Sequence, residues 1–112
     1  MFLILNCGSS SLKFKLFNLD DKLIADGDFS NIGSVNSEIK YNTYVGNILK
    51  LKNKIMIDSV EHSIKILENI LISNQYGVIS SLNEINVIGH RIVHGVINIQ
   101  SQLSIIKKFT NI

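Results

Sequence analysis

The strongest constraint on the fold of this chain is a change of hydrophobic period near residue 58. Before it, apolar and polar residues alternate in steps of two, most plainly where Leu12, Phe14 and Leu16 interleave with Lys13 and Lys15. Side chains alternate sides along a strand, so this pattern makes strands with one buried and one solvated face. After it, Val60, Ile64, Leu67 and Leu71 recur at helical spacing and form a single apolar stripe. A chain that runs through several such strands and then one such helix reads as a sheet with one main helix whose stripe is core.

The individual elements follow from local signals. Phe2 to Cys7 is a continuous apolar run stopped by Gly8, which reads as a buried strand and a turn. A second strand is expected from Ser11 to Leu19, and a third from Lys22 to Ile32 after the Asp20-Asp21 turn signal, broken at Gly27 and closed by Gly33. Glu38 to Val45 and Asn47 to Ile57, separated by Gly46, add a fourth and a fifth, so the start of the chain reads as antiparallel hairpins in series. A helix is expected from Ser59 to Ser73. Asp58, three residues before Glu61, has the spacing of a capping box, and Gly77 suits a left-handed turn past the helix end. Asn86 to His94 forms a last strand, and Gln102 to Phe109 offers the first turns of another helix.

Composition sets the bounds on function. The 112 residues amount to one domain, and 46% hydrophobic with 18% charged residues is a globular balance, not a disordered one. A net charge of +2 without a run of basic residues argues against nucleic acid as a partner. Cys7 is the only cysteine, which leaves no internal disulfide and no C-x-x-C site. Neither a basic-flanked apolar leader nor a spanning segment is visible, so a cytoplasmic protein without membrane attachment is expected. Twenty Ile, thirteen Asn and ten Lys stand beside one Ala, no Pro, no Trp and a single Arg, Arg91.

Two segments carry residues suited to chemistry. Asn6-Cys7-Gly8-Ser9-Ser10-Ser11-Leu12-Lys13 is a turn of small polar residues between two strands. Successive backbone N–H groups in such a turn can form an anion-binding nest, Gly allows close approach, and the Ser hydroxyls add donors. Lys13 would neutralise phosphoryl oxygens, and the Asn6 amide oxygen suits a hard cation or its waters. The same residues also suit an ordinary hairpin turn, and the Walker A pattern is absent. In Gly89-His90-Arg91-Ile92-Val93-His94-Gly95, an Arg within an apolar strand is a candidate for binding a carboxylate or phosphate in bidentate fashion. It could equally sit exposed at a strand end or pair with a structural carboxylate. Strand alternation puts Arg91 and Val93 on one face and His90, Ile92 and His94 on the other. His90 and His94 have the spacing of a helical zinc pair but lie in a strand-like segment, so they read as structural histidines. His62 has no evident partner, Cys7 reads as a small packing residue, and Tyr41, Tyr44 and Tyr76 are too scattered to stack bases.

Together, Asn6-Cys7-Gly8-Ser9-Ser10-Ser11-Leu12-Lys13-Phe14 and Gly89-His90-Arg91-Ile92-Val93-His94-Gly95 resemble the two N-terminal signatures of the acetate kinases, in the same order. Tyr76-Gly77-Val78-Ile79 with Ser81-Leu82-Asn83-Glu84-Ile85 is similar to that family's link between helix and strand. The resemblance covers residues 1–97 and implies an α/β fold of the ribonuclease H-like, actin-like kind, with a mixed sheet of five to six strands and one main helix. It implies phosphoryl transfer between ATP and acetate, giving acetyl phosphate and ADP, with Mg²⁺ as cofactor and a homodimer as the family's assembly. By resemblance Asn6 would help position Mg²⁺, Ser9 and Ser11 would contact phosphate, and Lys13 would neutralise the ATP phosphates. Arg91 would be catalytic, holding the acetate carboxylate or the transferring phosphoryl group, and Val93 would border the methyl pocket. The family's double Gly after the second signature is here Gly95-Val96. Residues 1–112 then correspond to part of an N-terminal domain, without the nucleotide-binding second domain. The isolated chain is therefore expected to be inactive. Alternatives are a propionate or butyrate kinase relative, a non-catalytic module that binds an anion or a partner, and a chain whose exposed edge drives self-association.

Overall fold

The computed structural model describes residues 1–46 and 48–92. Five strands precede the helix: β1 (Phe2–Cys7), β2 (Leu12–Phe17), β3 (Leu23–Ser30), β4 (Glu38–Thr43) and β5 (Lys50–Lys54). Helix α1 (Val60–Leu71), a short 3₁₀ turn at Leu82–Glu84 and β6 (Val87–Ile92) follow. The strands form one six-stranded sheet in the order β5-β4-β3-β2-β1-β6. Neighbours from β5 to β1 are antiparallel, as hairpins in series require, whereas β6 returns after the helix to lie parallel to β1. The mixed α/β sheet that the family resemblance implied is therefore present, although most strands are shorter than their apolar runs suggested.

One face of the sheet carries the core. Leu3, Leu5, Cys7, Leu12, Phe14, Leu16, Phe29, Ile39 and Tyr41 join Val60, Ile64, Leu67 and Leu71 of the helix in a single buried cluster. The stripe that announced the helix is thus the surface that closes the core. Alternation puts Ile4, Asn6, Lys13, Lys15 and Lys40 on the opposite face, where all are exposed. On that open face Phe2 and Phe17, cross-strand partners, stack with ring centroids 4.9 Å apart. The pairing of β2 with β3 shifts between Leu16 and Phe17, and this bulge explains why adjacent Ile24 and Ala25 are both buried.

Gly27 sits in the core-facing row between Phe14 and Tyr41. With no side chain between them, the two rings meet across it, their centroids 6.1 Å apart. A Cβ at Gly27 would lie 2.0 Å from the Lys40 carbonyl oxygen and 3.0 Å from the Phe14 ring. Tyr41 is fully buried, and its hydroxyl donates to the Tyr76 carbonyl at 2.7 Å, which ties the sheet to the segment beyond the helix.

Three local expectations are corrected. The helix is capped by Ser59, whose hydroxyl accepts the His62 amide at 3.1 Å, and not by Asp58. His62 does have a partner: its Nδ1 accepts the Asp58 amide at 3.1 Å, across the i,i+4 spacing at the start of the helix. Gly77 does not adopt a left-handed conformation; among the described residues the positive-φ glycines are Gly33 and Gly46. A glycine is needed at 77 because a Cβ there would lie 2.3 Å from the Ser73 carbonyl oxygen, to which the Gly77 amide donates at 2.9 Å. No helix among the described residues is long and apolar enough to cross a membrane.

Candidate functional site

The two chemically suggestive segments come together at one end of the sheet. Asn6 pairs with Lys13 on β2 and with Arg91 on β6, so these three residues share one cross-strand row at the carboxyl ends of β1 and β6. Residues directly opposite one another on antiparallel strands project from the same face, here the open one for Asn6 and Lys13. Arg91 is placed by the register of its backbone. The row continues outward through Asp28, Lys40 and Lys52. A lysine, an amide and an arginine thus occupy successive strands, with one carboxylate beside the lysine.

The Ser-rich connection between β1 and β2 borders this row. It is closed by the Gly8 amide donating to the Ser11 carbonyl at 2.9 Å. A Cβ at Gly8 would stand 2.7 Å from the Ser11 hydroxyl, so glycine is what lets that hydroxyl fold over the turn. Ser9 and Ser10 are exposed, and Ser11 is half-buried. The turn faces solvent with its hydroxyls and, from the other side, receives the Ile32 amide on the Ser10 carbonyl at 2.9 Å.

Below the row the open face forms a groove of about 580 Å³, lined among others by Ile4, Asn6, Lys13, Lys15, Asp26 and Asp28. Its far wall is ordered: Asp26 accepts hydrogen bonds from the Asn42 amide at 3.1 Å and the Tyr44 hydroxyl at 2.9 Å. Those contacts raise the Tyr44 phenol, the hydrogen bond to Asp26 being the largest cause. A second hollow of about 420 Å³, between Thr43–Leu49 and Asn74–Ser80, contains no residue of either motif. The groove beside Asn6 and Lys13 carries charge of both signs, with Lys13 and Lys15 facing Asp26 and Asp28.

Cys7 lies beneath the turn, fully buried on the core face. Burial, reinforced by the Glu61 carboxylate, pushes its thiol up to about 11, so it is held protonated and is a packing residue. Among the described residues no group of three or more His, Cys, Asp or Glu could hold a metal. Asn6 is exposed on the open face, and its amide oxygen is of the hard kind that could hold a cation or one of its waters. Val93, His94, Gly95, Val96 and the segment Gln102–Phe109 lie outside the described residues.

Sequence reasoning missed Asp28, which becomes Lys13's neighbour only once the β2–β3 register is known. It also missed the capped 3₁₀ turn at Leu82–Glu84, where Ser81 and Glu84 form a capping box. That signal was available, since Ser81-Leu82-Asn83-Glu84 has the spacing.

The chain is similar to proteins of one known family. The profile of the acetokinase family matches residues 1–110. The chain is 46% identical over 96 residues to the acetate kinase of Bacteroides fragilis, and equally so to that of Phocaeicola vulgatus. It is 39% identical over 94 residues to that of Dictyoglomus thermophilum. In each case the match covers 83% of this chain and 23% of the relative, so the chain spans about a quarter of the length of these curated proteins. Among solved structures, Porphyromonas gingivalis acetate kinase is similar with a TM-score of 0.71 and 33% identity, over 84% of this chain and 23% of that one. A propionate kinase from Francisella tularensis is similar with a TM-score of 0.66 and 32% identity, over 84% of this chain and 22% of that one.

Proposed function

Since the chain belongs to the acetokinase family, we propose that it is the N-terminal part of a kinase that moves a phosphoryl group between ATP and acetate. The observation that carries this reading is the row of Lys13, Asn6 and Arg91 on three adjacent strands beside the Ser-rich turn. Phosphoryl transfer asks a protein mainly for in-line positioning and charge neutralisation. In this reading the Ser9 and Ser11 hydroxyls and the turn's backbone N–H groups hold phosphate oxygens, and Lys13 neutralises their charge. Arg91 holds the acetate carboxylate or the transferring group, and Val93 borders the methyl group. Mg²⁺, bound with the nucleotide, would supply further charge neutralisation, and the Asn6 amide oxygen would hold it or one of its waters.

Because the chain spans about a quarter of the length of its curated relatives, the 112 residues alone are expected to hold phosphate without turning it over. With ATP, Mg²⁺ and acetate, hydroxamate trapping of acetyl phosphate should give no more than a blank. Titration with ATP–Mg²⁺ or acetyl phosphate should move the amide signals of Gly8 to Lys13. Lys13→Ala and Arg91→Ala should each weaken that binding about tenfold or more, the worth of a charge-assisted contact. Unchanged binding in both variants would contradict the kinase reading and favour a non-catalytic module. Acyl chain length is set around Val93, so a propionate or butyrate acceptor is tested by adding those acids to the trapping assay on a full-length enzyme.

A further inference from the structure

We propose that the β3–β4 connection, through Asn31, Ile32 and Gly33, fixes the shape of the Gly8–Ser11 turn, which makes these three positioning residues. That they thereby position phosphate rests on the function proposed above; that they position the turn does not.

The argument begins at the Ser10 carbonyl, which accepts the Ile32 amide at 2.9 Å. A trans peptide is planar, with its C=O and the following N–H pointing in opposite directions. Holding the Ser10 carbonyl toward Ile32 therefore turns the Ser11 N–H away from the β3–β4 connection. Together with the Gly8-to-Ser11 closure, this leaves the turn with both ends of its backbone oriented before any ligand arrives, the preorganisation that anion-binding turns depend on.

The connection that does this has a firm footing. Asn31 and Gly33, on either side of Ile32, both lie in the left-handed region, with φ of 52° and 87°. The resulting bend sends successive amides to different targets: Ile32 to the turn, and Gly33 to the Ile57 carbonyl at 2.8 Å. Further along, the buried Ser37 hydroxyl accepts the Ile57 amide at 3.0 Å and donates to the Ile55 carbonyl. Ile57 is itself fully buried, two residues before the helix cap Ser59. The turn thus leans on a connection that is anchored at two points to the core beneath α1. Side-chain bonds within the connection, from Asn31 to the Asn36 carbonyl and from the Asn36 amide to Ser34, hold it in that form.

The test compares two alanine substitutions in this chain. Gly33→Ala and Gly46→Ala both force alanine into a left-handed conformation, but Gly46 (φ 66°) has nothing within 4 Å of its would-be Cβ and lies in the β4–β5 connection. Both variants should lose similar melting temperature. Only Gly33→Ala should shift the amide signals of Gly8 to Ser11 and speed exchange of the Gly8 amide, by about fivefold or more. It alone should weaken ATP–Mg²⁺ binding, by about fivefold, while Gly46→Ala binds as the parent does. A chain made with an ester in place of the Ile32 amide removes the single donor without altering a side chain, and should reproduce the loss; this arm holds if Gly33→Ala fails to fold. Turn signals and exchange in the ester chain that match those of the parent would overturn the proposal. A parent chain that binds no ATP–Mg²⁺ would count against the kinase function, and the turn measurements would still decide the positioning role.

Discussion

Between pH 9 and pH 12 the folded chain is expected to lose about 5 kcal/mol of stability through Cys7 and Tyr41. Burial pushes the Cys7 thiol from 9.0 up to about 11, with a smaller contribution from Glu61. Burial likewise pushes the Tyr41 phenol from 10.0 up to about 12. In both cases the protonated form is the one that fits the core, so the unfolded chain gives up its proton first. The stabilisation is fully present below the unfolded values and is lost as pH rises through the folded ones. Each decade of proton affinity is worth about 1.4 kcal/mol, which gives between 2 and 3 kcal/mol per group, roughly. Small domains are stable by about 5–15 kcal/mol in all, so the loss is enough to bring the chain close to unfolding. Urea midpoints measured across this range should fall steadily. Cys7→Ala should remove the part of the decline between pH 9 and 11. Tyr41→Phe should remove the part between pH 10 and 12 while losing about 1 kcal/mol at neutral pH, because the bond to the Tyr76 carbonyl is gone. A midpoint independent of pH in the parent chain would contradict this account.

Gly27→Ala is expected to destabilise the chain by about 3 kcal/mol or more, a large effect for one methyl group. The added carbon would meet the Lys40 carbonyl oxygen at 2.0 Å, and that oxygen belongs to the neighbouring strand's backbone. No rotamer change relieves such a contact. Relief requires β3 and β4 to separate at the centre of the sheet, which would also part Phe14 from Tyr41 across the row. For a domain of this size the melting temperature should drop by roughly ten degrees or more. Gly89→Ala provides the contrast, since a Cβ there meets nothing within 4 Å, and it should change stability by no more than about 0.5 kcal/mol. Equal melting temperatures for the two variants would refute the steric argument.

How far the sequence revealed this molecule depends on the range of the interaction concerned. The alternation of Leu12, Phe14 and Leu16 and the stripe from Val60 to Leu71 are local periodicities, and both became the core they suggested. The ends of β1 fell where Gly8 interrupts its apolar run. Elements shrank where apolar content and pairing parted company: the stretch expected to be a strand from Asn47 to Ile57 is paired only over Lys50–Lys54. The cap moved from Asp58 to Ser59 because either side chain could serve, and backbone geometry chose between them. What local pattern could not reveal was register. The placement of Asn6 against both Lys13 and Arg91, and of Asp28 beside Lys13, exists only once strands distant in sequence have paired. Family resemblance implied that the two motifs share a site, whereas spacing alone left a hairpin turn and an exposed arginine as open readings.

The parallel pairing of β1 with β6 also bears on the order in which the chain assembles. Strands β1 to β5 are joined in succession by short connections and can zip up from neighbouring partners at small entropic cost. β6 must wait for its partner across the whole intervening meander and the helix, and such distant closures are the slow ones in folding. On that ground Asn6 and Lys13 are expected to meet early, in a hairpin, and Arg91 to join them only when β6 docks. A population stalled before that step would have a formed serine turn and a normal helix signal, and no arginine beside them. Recovery of the complete charged row would then report the end of folding more faithfully than recovery of secondary structure.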